Sequence, residues 1–389
     1  MFYKKQLTRV ALVLLLLVSL IQGGAFLPGA RAQNPAGQQD ANRPRRAGDQ
    51  TPQAAPTPEA TPQPTPGKDE ETIGDDEVLR VESDLTNVLF TAYDKKTKRF
   101  VTTLKQEDIR ITEDGTPQEI FTFQQQTDIP LSLAILVDTS GSQERTLPDE
   151  KDAARAFIDA VIRPQKDEAA VISFTGDATL EQGLTGNITR VRRALDKIEF
   201  VPPSGWLGGG IIVGSTPPIS GTNNSRAGST AIWDALWVTA DEVLAEASQG
   251  TRRAIILVTD GIDTSSRMKM QEAVDSAIKV DAIIYSIGIG DSYMFDGVDE
   301  GSLRKVSERT GGRAYFPKNE EELRDAFEQI QRDLREQYLL AYSPTNKQRD
   351  GSFRKIQIEI VNPEVRKREL RLNYRQGYFA KSGASTKKK

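Results

Sequence analysis

The sequence of 389 residues contains neither histidine nor cysteine. Without an imidazole or a thiol, the chain cannot build a Ser-His-Asp triad, a cysteine nucleophile, a zinc cluster, a haem attachment site or a disulfide framework. Any metal that it binds must therefore be held by oxygen atoms. Its content of 37% hydrophobic and 27% charged residues is ordinary for a globular protein.

The chain also lacks a strong excess of either charge. It carries 51 basic and 55 acidic residues, which gives a formal net charge of −4. No overall field attracts nucleic acid or an anionic membrane, so we expect no nucleic-acid partner.

Residues 1–32 have the pattern of a secretory signal. Basic residues precede an apolar run over residues 10–21, and Ala-Arg-Ala at residues 30–32 is the small-x-small pattern that signal peptidase reads. We expect cleavage before Gln33 and a secreted or periplasmic (cell-envelope) protein with no membrane span after cleavage. The alternative is an uncleaved anchor, but the apolar core is shorter than the roughly 20 residues that a spanning helix needs.

Residues 33–75 are rich in proline, glutamine, alanine and threonine, and contain one large aliphatic residue, Ile73. Such a composition cannot bury a core and favours a disordered linker with polyproline II character. Two interpretations stay open: a spacer that holds the folded part away from a membrane or wall layer, and a passive leader.

Two β-rich flanks follow the pattern of alternating apolar and polar residues, at 76–128 and 338–380. Each flank is close to the size limit below which a cysteine-free unit cannot support itself. We therefore predict that the flanks pair into one β-sandwich-like domain with the middle of the chain inserted into it. Residues 381–389 are predicted to be a disordered tail.

The middle segment, 129–337, has a different pattern. Near-continuous apolar runs at 131–137, 169–174, 254–259 and 282–289 are typical of strands that are covered on both faces. Amphipathic helical patterns lie between them. The alternation predicts an α/β fold with a doubly wound, mostly parallel sheet, and a ligand site beyond the carboxyl ends of its strands.

Oxygen-bearing side chains cluster at those strand ends. They are Asp138, Ser140 and Ser142 after the first apolar run, Thr230 before a helix, and Asp260 after the third run. Carboxylates and hydroxyls suit Mg²⁺, Mn²⁺ or Ca²⁺. Two aspartates neutralise a divalent ion without saturating it, so the ion can bind one further anion, such as a partner's carboxylate.

This arrangement resembles the metal-ion-dependent adhesion site (MIDAS) of von Willebrand factor A domains, with Asp138-x-Ser140-x-Ser142, Thr230 and Asp260 in the family's order. The resemblance covers about residues 129–337 and implies a Rossmann-like sheet. It implies Ser140, Ser142 and Thr230 as direct ligands, with the two aspartates binding directly or through water. The flanking strands look like those of bacterial exported proteins that carry such a domain.

The sequence departs from the family pattern in a Gly/Pro-rich insertion over residues 202–227 and in Ser229, where the family often has glycine. The insertion is interpreted as a partner-contacting loop, with a passive insertion as the alternative. Asp263 is interpreted as a turn or helix-start carboxylate rather than as part of the metal site.

These features predict an exported, Mg²⁺-dependent protein-binding module that is not an enzyme and whose partner offers a carboxylate. One alternative is a structural envelope protein with a weak or unused metal site. The other is a metal-assisted phosphatase or hydrolase that uses Asp138.

Overall fold

The computed structural model describes residues 85–97, 99–126, 128–202, 229–290 and 297–382. The predicted signal, the Pro-rich linker, nearly all of the 202–227 insertion and most of the 381–389 tail lie outside the described residues. Within the described residues, no helix has both the length and the apolar character needed to cross a membrane.

The N-terminal flank consists of five strands. They are β1 (Thr86–Asp94), β2 (Arg99–Phe100), β3 (Ile109–Glu113), β4 (Thr116–Gln118) and β5 (Ile120–Gln126). Alternate residues of β1 and β3 are buried, which is the period-2 pattern of a strand with one covered face. The turn between β3 and β4 has positive φ at Asp114 and Gly115, which short polar residues and glycine tolerate best.

A six-stranded sheet forms the centre of the middle segment. Its strands are β6 (Leu131–Asp138), β7 (Glu168–Phe174), β8 (Ala178–Thr185), β9 (Arg252–Thr259), β10 (Ala282–Gly288) and β11 (Ala314–Tyr315), in the order β11-β10-β9-β6-β7-β8. All neighbours are parallel except β7 and β8. Every residue of β6 and of β10 is buried, as the continuous apolar runs predict.

Helices cover both faces of this sheet. They are α1 (Leu147–Val161), α2 (Ile188–Lys197), α3 (Ile232–Val238), α4 (Met270–Lys279), α5 (Glu300–Thr310) and α6 (Glu320–Arg335). A π-helical turn, Thr239–Leu244, continues α3. Two clusters of buried apolar side chains lie on opposite faces of the sheet, since successive residues of β6 such as Ile135 and Leu136 belong to different clusters. The middle segment therefore has the predicted α/β architecture.

The C-terminal flank begins one residue after α6. It contains β12 (Gln337–Tyr342), β13 (Phe353–Ile360), a short helix α7 (Pro363–Arg366), β14 (Leu370–Tyr374) and β15 (Gly377–Phe379). Its strands pair with those of the N-terminal flank in two sheets, in the orders β14-β1-β12-β5 and β15-β13-β3-β4. Apolar residues of both sheets share one buried cluster, which includes Val88, Ile111 and Leu340. The sandwich arrangement and the domain limits stay predictions.

Candidate metal centre

Two aspartates lie at the same edge of the central sheet because their strands are parallel neighbours. Val137 on β6 is paired with Val258 on β9, and Asp138 and Asp260 follow these positions at the carboxyl ends. Both side chains are almost completely buried. Both residues therefore lie at the strand ends where the sequence predicts them.

The loop after β6 brings two hydroxyls next to the first aspartate. The backbone N–H of Ser140 donates to Oδ1 of Asp138 at 2.9 Å, and this contact turns the chain sharply after the strand. The Oγ atoms of Ser140 and Ser142 are 3.2 Å apart. The Ser140 side chain also hydrogen-bonds to the Asp138 carboxylate, so its hydroxyl lies next to that carboxylate and the Ser142 hydroxyl lies next to the Ser140 hydroxyl.

Gln143 fixes this loop to the rest of the sheet edge. Its buried Nε2 donates to the carbonyl of Ile289, after β10, at 3.2 Å. Its Oε1 accepts from the hydroxyl of Thr146 at 2.9 Å. No sequence pattern singles out Gln143, because its contact with Ile289 depends on the tertiary structure.

Thr230 reaches the same edge from the segment before α3. Its carbonyl accepts from the N–H groups of Thr264 and Ser265 at 2.9 and 3.0 Å, and its own N–H donates to the Thr264 hydroxyl. The next residue, Ala231, donates to the carbonyl of Thr175 after β7. These bonds hold the buried Thr230 between the loop that follows Asp260 and the end of β7.

The turn after Asp260 depends on a glycine. Gly261 has φ of +85°, and a Cβ there would be 2.9 Å from Cγ of Leu303, so neither the backbone angle nor the packing accepts a side chain. Within this turn the N–H of Ile262 donates to Oδ1 of Asp260 at 2.9 Å.

Burial changes the acid-base behaviour of Asp138. Loss of hydration raises its pKa to about 7, against the lowering by hydrogen bonds from Ser140 and Thr259, and the negative charge of Asp260 raises it further. Two carboxylates that are buried together without a cation repel each other. A divalent cation between them would relieve both the repulsion and the desolvation cost, so the residues present fit such an ion.

Thr259 is a functional candidate that the sequence analysis did not assign. Its hydroxyl donates to Oδ2 of Asp138 at 2.6 Å and accepts from the N–H of Gly261 at 3.1 Å. It therefore orients one aspartate and supports the turn that carries the other. The signal was its position immediately before Asp260, but the contact depends on the pairing of β6 with β9.

Asp263 has the structural role that the sequence predicts. Its Oδ1 accepts from the N–H of Ile232, at the first turn of α3, and from the hydroxyl of Ser266. It satisfies a backbone donor that the helix itself leaves unpaired.

Over the part of the chain that the structure describes, no group of three or more acidic side chains is arranged to hold a metal, so the candidate centre depends on hydroxyls as well as carboxylates.

Two models of the von Willebrand factor type A domain match the chain, one over residues 133–263 and the other over residues 218–329. Together they cover the central sheet, the strand-end loops and most of α6. Among curated proteins, no match was found.

Three solved structures illustrate the similarity. Proximal thread matrix protein 1 from the mussel byssus, with a zinc-occupied MIDAS motif, is 17% identical over 57% of this chain and 50% of that chain (TM-score 0.43). An aerotolerance-related membrane protein from Bacteroides fragilis NCTC 9343 is 17% identical over 53% of this chain and 98% of that chain (TM-score 0.38). BatB from Bacteroides thetaiotaomicron is 18% identical over 53% and 97% (TM-score 0.37).

This chain thus spans about half the length of the mussel protein. The family assignment rests on the two domain models, which agree with the α/β sheet and with the strand-end residues. The chain belongs to the von Willebrand factor type A domain proteins.

Proposed function

We propose that this protein is an exported protein-binding module whose affinity for its partner depends on a divalent cation. Asp138, Ser140, Ser142, Thr230 and Asp260 would hold the ion, with Mg²⁺ as the first candidate and Mn²⁺ or Ca²⁺ as alternatives. The observation that carries the proposal is the pair of hydroxyl oxygens, 3.2 Å apart, beside a buried aspartate that is itself close to a second one.

The chemistry of these donors supports a hard cation. Asp138 and Asp260 supply two negative charges, and the hydroxyls supply neutral oxygens. A bound ion would supply positive charge at the sheet edge, where an incoming carboxylate completes its coordination. The protein's own groups bind and orient: Thr259 holds Asp138, and Gln143 holds the loop that carries the two serines.

The proposed partner is a protein that offers an aspartate or glutamate. Two aspartates neutralise a divalent ion but leave part of its coordination open, which a carboxylate oxygen can fill, and the chain's net charge of −4 argues against a strongly acidic ligand such as nucleic acid. Export is proposed from the signal pattern of residues 1–32. The Gly/Pro-rich insertion over residues 202–227, which shortly precedes Thr230 in the sequence, is proposed to contact the partner.

Calorimetric titration of the full chain with Mg²⁺ tests the cation step. We expect saturable binding and a rise in melting temperature with ion concentration, because an ion that binds only the folded state stabilises it by mass action. Asp138→Ala and Ser140→Ala should abolish both effects, whereas Asp325→Ala, at an exposed position on α6, should leave them intact.

Absence of any response to Mg²⁺, Mn²⁺ and Ca²⁺ at concentrations up to about 10 mM, above the roughly 0.1–1 mM dissociation constants of extracellular calcium modules, would contradict the proposal. A pull-down from envelope extract, with and without EDTA, tests the second step. Partner capture that survives both EDTA and Ser140→Ala would show that binding does not use the ion. Hydrolysis of a generic phosphate ester that is lost in Asp138→Asn would favour an enzyme instead.

A further inference from the structure

Glu150 is a carboxylate at a position where the pattern of its helix calls for an apolar residue. The buried face of α1 contains Leu147, Ala154, Phe157 and Ile158, and Glu150 lies on this face one turn from Leu147. Its side chain is 1% exposed. A charged residue on the core face of a helix is unusual unless something pairs with it.

The structure offers no partner that would explain this burial as packing. Neither carboxylate oxygen of Glu150 has a hydrogen-bond partner among the residues that the structure describes. The hydroxyl of Thr146 lies near Glu150 and lowers its pKa, but it donates to Oε1 of Gln143 at 2.9 Å. A buried carboxylate without a hydrogen-bond partner destabilises the folded protein. Packing of α1 therefore does not explain why this position carries a glutamate.

Glu150 shares a cavity with a glycine that lies against the candidate metal centre. It lines a cavity of about 620 Å³ between the start of α1, the end of β10 and the start of α6. Gly290, in the same lining, lies against the second aspartate, since a Cβ there would be 3.8 Å from Cβ of Asp260. Desolvation raises the pKa of Glu150 to about 8 against a lowering by the Thr146 hydroxyl, and the negative charges of Asp138 and Asp260 raise it further.

We infer that Glu150 is a third acidic group of the metal centre, which raises the affinity for the divalent cation through its charge without being one of its direct ligands. This inference rests on the proposed function. A cation between Asp138 and Asp260 would replace their repulsion of Glu150 by attraction and would favour its ionised form. The positive charge of the cation would then stabilise the Glu150 carboxylate, which has no hydrogen-bond partner among the described residues.

Other charged groups surround Glu150 and share in its electrostatics. Asp138 on β6, Asp260 after β9 and Asp149 on α1 all disfavour its ionised form. Further charged side chains line the same cavity: Arg145, Glu300, Lys318 and Glu320. A divalent ion changes the local charge more than any one of these residues does.

The test compares two variants that each remove one negative charge from the same turn of α1. Glu150→Gln removes the buried charge, and Asp149→Asn removes an exposed one. Titration of each full-length variant with Mg²⁺ should give an affinity about 10-fold or more below wild type for Glu150→Gln, the size typical of groups that support a metal site from outside its ligand shell. Asp149→Asn removes a charge that disfavours ionisation of Glu150, so it should not weaken Mg²⁺ binding, and Glu150→Asp, which keeps the charge, should recover part of the affinity.

A pH series separates an electrostatic role from a purely structural one. Because the ion favours loss of the proton from Glu150, the affinity of wild type should increase from about pH 7 to about pH 9 more steeply than that of Glu150→Gln. Equal affinity and equal pH dependence of the two proteins would overturn the inference while the proposed function stands. Failure of wild type itself to bind Mg²⁺, Mn²⁺ or Ca²⁺ would overturn both.

Discussion

At the scale of single residues, the candidate centre combines proposed ligands that could be predicted from the sequence with supporting residues that could not. Asp138, Ser140 and Ser142 are close in sequence, so their spacing after a strand was enough to predict that their oxygens converge. Thr259 and Glu150 act across the fold, from a neighbouring strand and from the buried face of a helix. Their contacts depend on tertiary structure, and a single hydroxyl or an interrupted apolar stripe is a weak signal beforehand.

The hydroxyl of Thr259 provides a test at this scale. Thr259→Val keeps the shape of the side chain but removes the donor that lies 2.6 Å from Oδ2 of Asp138. We expect Mg²⁺ affinity in calorimetric titration to fall by about 10-fold or more, because a group that orients a ligand typically contributes that much. Thr259→Ser retains the hydroxyl and serves as the control. Wild-type affinity in Thr259→Val together with a loss in Thr259→Ser would show that the methyl group, and hence packing, matters instead of the hydroxyl.

At the scale of helices and strands, the predictable parts were those with strong periodicity. The four apolar runs became β6, β7, β9 and β10, which are buried on both faces. The edge strand β8 was not predicted, because most of its side chains are only partly buried and its apolar residues follow no continuous run. The two-residue strand β11 and the π-helical turn after α3 are too short or too irregular to leave a period in the sequence.

Packing between α1 and α6 gives a prediction for these elements. Phe157 and Phe327 contact each other with ring centroids 5.0 Å apart, and both are almost fully buried. Phe327→Ala should lower the free energy of unfolding by about 3–5 kcal/mol, the usual result of removing a buried aromatic ring and leaving a cavity. Urea denaturation followed by circular dichroism measures this change.

The control for that variant lies one turn earlier on the same helix. Arg324 is exposed and pairs with the exposed Glu320 at 3.0 Å, so Arg324→Ala should change the free energy of unfolding by no more than about 0.5 kcal/mol. Similar values for the two variants would indicate that α6 is not held by its apolar face, contrary to the packing described above.

At the scale of the whole molecule, the chain brings together segments that are far apart in sequence. Strand β1 lies between β12 and β14, and β3 pairs with β13, so each of these contacts spans the entire α/β segment. Glu113 on β3 accepts hydrogen bonds from Tyr342 and Tyr378 of the other flank. Alternating patterns in both flanks predicted strands, and the small size of each flank predicted that they need one another. Periodicity does not encode which strand pairs with which, so the strand order could not be derived.

This interdependence predicts the effect of removing the C-terminal flank. Deletion of residues 338–389 would leave β1 without β12 and β14 and would expose Val88 and Phe90, which are buried in the intact protein. A few strands that lack partners and a covered face are not independently stable. Limited trypsin digestion with mass spectrometry should therefore show rapid cleavage within residues 85–126 of the shortened chain, whereas deletion of residues 383–389 alone should leave that flank as resistant as in wild type. Resistance of residues 85–126 in both proteins would mean that the N-terminal flank folds by itself, and that the pairing of the flanks adds little to its stability.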